Sequence, residues 1–107
     1  MALSQKKCIF ATVIIKTEKI MANTKLLLVE DDENLAYMEK SCFEDIIGGY
    51  EVKTAVNGKE GLKVWQDFQP DVIVSDIDMP IMDGIEMVKK IREVDGKTII
   101  LFTTGLT

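Results

Sequence analysis

Two short, unbroken apolar runs most constrain what this chain can fold into: Leu26-Leu27-Leu28-Val29 and Val72-Ile73-Val74. A strand with one wet face alternates polar and apolar residues. Runs without alternation belong to strands covered on both faces, as in a parallel sheet packed between helices. The segments between them fit that scheme. Asn34 to Ile47 reads as a helix, with Leu35, Met38, Cys42, Phe43 and Ile46 near one face and Gly48-Gly49 ending it. Tyr50 to Val56 alternates and is β-rich, and stops at the turn signal Asn57-Gly58. Lys59 to Phe68 suits a second helix closed by Pro70, and Ile85 to Val94 a third, with Ile85, Val88 and Ile91 on one stripe. Thr98 to Phe102 gives a fourth strand. Strands alternating with helices predict the α/β class: a doubly wound parallel sheet with right-handed crossovers.

Composition narrows the function. A chain of 107 residues, 47% of them hydrophobic, suffices for one domain with a real core. The formal net charge of -5 argues against a direct grip on nucleic acid, which needs clustered Lys and Arg. Lys6-Lys7 and the apolar run from Cys8 to Ile15 loosely imitate a signal peptide, but charge returns at Lys16, Glu18 and Lys19, and the run is too short to span a bilayer. A cytoplasmic protein with no membrane partner is the expectation. Cys8 and Cys42 lack ligand-like spacing and the chain has no histidine, so small thiols in a reducing compartment are expected rather than a zinc site.

In parallel α/β sheets ligands bind outside the carboxyl ends of the strands. Glu30, Asp31 and Asp32 stand just past the first strand, Asp76 and Asp78 past the third, and Thr103 past the fourth. Carboxylates gathered this way repel one another, and a hard cation relieves the repulsion. Mg²⁺ suits such a set, since it is commonly held by one or two carboxylates plus a phosphate. Asp31 and Asp76 could supply the carboxylates, with a backbone carbonyl near Asp78. A carboxylate beside the metal can also attack a phosphoryl group, and Asp76, at the tip of the most apolar strand, is best placed to do so. Taken singly, the acids from Glu30 to Glu33 are better explained by the helix dipole, and Asp76 is open to a cap or turn role. Their joint occurrence at two strand ends shifts the balance towards chemistry.

Leu27-Leu28-Val29-Glu30-Asp31-Asp32-Glu33, Asp71-Val72-Ile73-Val74-Ser75-Asp76-Ile77-Asp78-Met79-Pro80-Ile81-Met82-Asp83-Gly84 and Thr98-Ile99-Ile100-Leu101-Phe102-Thr103 together resemble the receiver domain of two-component response regulators. The second segment is the specific one. The resemblance implies a flavodoxin-like receiver fold and a signalling module rather than an enzyme. It implies that Asp76 accepts a phosphoryl group from a histidine kinase or phosphotransfer protein. It further implies Mg²⁺ at Glu30, Asp31, Asp76 and the main-chain carbonyl of Asp78, and a phosphoryl-contacting hydroxyl at Thr103. Asp32, one position past the acidic pair, is expected to cap the following helix.

The sequence departs from the family pattern twice. Receiver domains continue past the fourth strand with a helix, a lysine-bearing fifth strand and a last helix, so the chain reads as a receiver domain over 24–107 truncated after the fourth strand. Residues 1–23 form an extension of unknown role; one reading pairs Phe10 to Lys16 beside the fourth strand, with Lys16 replacing the lysine. The open edge of the fourth strand also suggests a homodimer. Two rival functions are an interaction module that no longer phosphorylates and a phosphatase of the haloacid dehalogenase type, prompted by Asp76-Ile77-Asp78.

Overall fold

The computed structural model describes residues 24–103; the suggestions about residues 1–23 lie outside them. Four strands, β1 (Thr24–Val29), β2 (Tyr50–Ala55), β3 (Val72–Asp76) and β4 (Ile99–Thr103), form one parallel sheet in the order β2-β1-β3-β4. The connections run through helices α1 (Glu33–Ser41), α2 (Gly58–Phe68) and α3 (Gly84–Arg92). This is the doubly wound parallel α/β sheet that the apolar runs required. None of these helices is long and apolar enough to cross a membrane.

The alternation of a strand shows in how the β1 run divides. Leu26 and Leu28 point to one face and pack with Ala36, Phe43, Val52 and Val74 under α1. Leu27 and Val29 point to the other and pack with Trp65, Ile73, Met87 and Ile91 under α2 and α3. Each of these four β1 side chains is at most 1% exposed, which explains why the run contains no polar residue. Full burial of one such aliphatic side chain contributes about 1.5–3 kcal/mol.

Helix starts follow local chemistry. Asp32, Asn57 and Asp83 each accept a hydrogen bond from the backbone N–H three residues on, at Leu35 (3.1 Å), Glu60 (2.9 Å) and Glu86 (2.8 Å). Each satisfies one of the N–H groups that a helix start leaves without an acceptor. The role expected for Asp32 is the one it has.

The α1 region corrects the sequence pattern. Its buried stripe runs through Ala36, Glu39, Cys42 and Phe43, whereas Met38 is exposed and Ile46 is 78% exposed. For Ile46 the cause is a change of winding: Cys42–Ile47 is a π-helical turn, in which the Gly48 N–H donates to the Phe43 carbonyl at 3.0 Å. Wider winding turns Ile46 away from Phe43, which a uniform 3.6-residue period cannot foresee. Cys42 is buried as expected, but among the described residues no cysteine is a free thiol. On α3 the buried residues are Gly84, Met87 and Ile91, and Ile85 is exposed.

The turn also covers the outer edge of β2. Glu44 accepts from the Val52 N–H at 3.3 Å and pairs with Lys40 Nζ at 2.6 Å, a contact that lowers its carboxyl pKa. A capped N–H on an edge strand discourages pairing with another chain.

Candidate functional site

The carboxyl ends of β1, β3 and β4 build the site. The ladder runs one residue past β1, because the Glu30 N–H donates to the Ala55 carbonyl at 2.9 Å. Glu30 is thereby fixed and buried at 3% exposure, and its Oε2 accepts from the Asp32 N–H at 3.2 Å. Asp31 follows on the surface. Asp76 is the last residue of β3 rather than a residue beyond it, and Thr103 the last residue of β4; register pairs the two. The buried Thr103 hydroxyl donates to Asp76 Oδ1 at 3.2 Å. Carboxylate oxygens of Glu30, Asp31 and Asp76 lie within 4.8 Å of one another. Acids 45 or more positions apart in sequence thus meet because β1 and β3 are neighbours, with Val29 opposite Ser75.

Asp78 lies exposed two residues past Asp76, at the start of the loop between β3 and α3. That loop is closed by the Gly84 N–H donating to the Ile77 carbonyl at 2.9 Å. At Gly84 the backbone comes so close to β3 that a Cβ would lie 2.2 Å from the Asp76 carbonyl oxygen. The Ser75 hydroxyl donates to that same oxygen at 2.8 Å. Asp76 is therefore held on its main chain by Ser75 and on its side chain by Thr103. Sequence reasoning singled out neither Ser75 nor the packing role of Gly84. The signals for Gly84 were the turn-like Asp83-Gly84 pair and its place in the segment that resembles the receiver family.

The donor set is all oxygen, with three carboxylates and no sulfur or imidazole, which fits a hard cation such as Mg²⁺ and not a soft metal. The fold and site define a class: a parallel α/β sheet whose strand ends gather acids around a terminal aspartate. Comparison supplies the family. The profile of the response regulator receiver domain matches residues 26–107, and the chain belongs to that family.

Similar proteins include the transcriptional regulatory protein AfsQ1 of Streptomyces coelicolor, 40% identical over 79 residues that cover 73% of this chain and 34% of the relative. The regulatory protein AtoC of Escherichia coli is 35% identical over 84 residues, 78% of this chain and 18% of AtoC. The chain thus spans only 34% and 18% of the length of these two curated relatives. Among solved structures, the Thermotoga maritima response regulator TrrA, in complex with Mg(2+)-BeF, superposes with a TM-score of 0.72 at 31% identity, covering 78% of this chain and 71% of TrrA. The Vibrio cholerae chemotaxis protein CheY4 gives 0.69 at 40% identity, covering 76% and 68%. Family membership displaces the haloacid dehalogenase reading of Asp76-Ile77-Asp78.

Proposed function

We propose that Asp76 accepts a phosphoryl group from the phosphohistidine of a histidine kinase or phosphotransfer protein, in a site that holds Mg²⁺ through Asp31, Asp76 and the main-chain carbonyl of Asp78, with Glu30 beside them. The observation that carries this reading is the convergence of Glu30, Asp31 and Asp76 within 4.8 Å, with the Thr103 hydroxyl 3.2 Å from Asp76. The TrrA relative, in complex with Mg(2+)-BeF, supports it.

An Asp76 carboxylate oxygen forms the new bond to phosphorus as the bond from phosphorus to the histidine nitrogen breaks, and the imidazole leaves with its electron pair. Mg²⁺ when bound neutralises negative charge on the transferring oxygens. The chain itself supplies orientation. Thr103 fixes one Asp76 oxygen and can donate to a phosphoryl oxygen instead, which ties the state of Asp76 to β4. Glu30 and Asp31 supply negative charge that makes the site attractive to a divalent cation. Incubation with phosphoramidate and Mg²⁺ tests the assignment: one phosphoryl group is expected on the peptide carrying Asp76, and none without the metal. Modification elsewhere, or none, overturns it.

A further inference from the structure

The loop of residues 77–83 carries Asp78, yet its shape is set by contacts outside the acid cluster. At its far end the Met82 carbonyl accepts from the Gly58 N–H at 2.8 Å. Gly58 is the first residue of α2. Asn57 caps that helix through the Glu60 N–H and its carbonyl takes the Gly61 N–H, so the Gly58 N–H, which has no acceptor within the helix, is available to the loop. The approach is close: a Cβ at position 58 would lie 2.7 Å from the Met82 carbonyl oxygen and 2.9 Å from Met82 Cγ.

The same tether accounts for an oddity in the loop. Ile81 has φ 70°, and the Met82 N–H donates back to the Pro80 carbonyl at 2.7 Å, which makes a γ-turn of the rare, strained hand centred on a β-branched residue. Such a conformation persists only where its surroundings over-determine it. Here those surroundings are the Gly58 tether on Met82 and the Gly84 contact on Asp76.

We infer that Gly58 is a positioning residue for the metal site: by tethering Met82 it holds the strained loop of residues 77–83, whose Asp78 main-chain carbonyl is the proposed metal ligand. The inference rests on the Mg²⁺ site proposed above, and adds a contact from a different helix that touches none of the ligands. If the tether and the site are coupled, each strengthens the other, because linkage is reciprocal.

Two measurements test it. In the wild-type chain, amide hydrogen exchange at Gly58 is expected to slow when Mg²⁺ is added; this readout needs no variant to fold. The Gly58→Ala variant is expected to bind Mg²⁺ about tenfold more weakly, the loss typical of removing a group that orients metal ligands. Adding Ile81→Gly to it, which lets the loop relax around the new Cβ, recovers most of that loss. A merely structural Gly58 would predict no rescue by a change at a residue 78% exposed. Wild-type protein that binds Mg²⁺ with Gly58 exchange unmoved, or a Gly58→Ala variant that binds as tightly as wild type, overturns the tether alone. Wild-type protein that binds no Mg²⁺ overturns the proposed site and the tether with it.

Discussion

Two acidic regions at opposite ends of the sheet show what separates a structural carboxylate from a reactive one. Asp95, beyond the end of α3, accepts from the Thr98 hydroxyl, from the N–H groups of Lys97 (2.9 Å) and Thr98 (3.1 Å), and from Trp65 Nε1 at 3.3 Å. The Thr98 hydroxyl, then the two backbone N–H groups, hold its carboxyl far below the usual carboxylate range. Arg92 closes the same turn through the carbonyls of Asp95 and Thr98. At the other end Glu30, Asp31 and Asp76 face one another. A carboxylate surrounded by donors joins α3 to β4 and α2. Carboxylates facing carboxylates make a place for a cation.

Substitutions at the two ends of the sheet separate the two kinds of carboxylate. The largest effect is expected where the main chain, not a charge, shapes the acid cluster. Gly84→Ala forces a Cβ against the Asp76 carbonyl and should lower stability by about 3 kcal/mol in urea denaturation, with loss of Asp76 modification. Next, Mg²⁺ at a hundredfold excess over its dissociation constant should stabilise the wild type by about 2.7 kcal/mol. The Asp31→Asn variant should show little of this. Without the metal, Asp31→Asn should instead raise stability by up to about 1 kcal/mol, because one of three facing charges is gone. At Asp95 the same exchange of acid for amide should have the opposite sign. A depressed carboxyl pKa contributes stability that is fully present above the unfolded value of 3.8 and is lost as pH falls through the lower folded value. Asp95→Asn should therefore be destabilised at neutral pH and approach wild type in strong acid, as read from urea midpoints across pH. Equal signs for Asp31→Asn and Asp95→Asn in metal-free buffer would contradict the distinction.

Much of the fold was legible because it depends on short-range pattern. The unbroken runs at Leu26–Val29 and Val72–Val74 are short enough to be strands buried on both faces, and a parallel sheet then brings Asp31 and Asp76 to one edge. Three features were not legible, for physical reasons. The π-turn at Cys42–Ile47 changes the helical period, so Ile46 was assigned to the buried face and lies in water. Thr103 and Asp76 were placed beyond their strands, whereas their contact comes from strand register, which no single segment encodes. Gly58 looked like an ordinary turn residue after Asn57, and its partner Met82 is 24 positions away.

Mass mapping of the phosphoryl group after phosphoramidate treatment of the wild type and Asp76→Asn, each with and without Mg²⁺, tests whether Asp76 is the acceptor. One phosphoryl group on the Asp76 peptide of the wild type, dependent on Mg²⁺ and absent from Asp76→Asn, is the predicted result. A phosphoryl group that persists in Asp76→Asn, or a wild type that takes none while binding Mg²⁺, would contradict it.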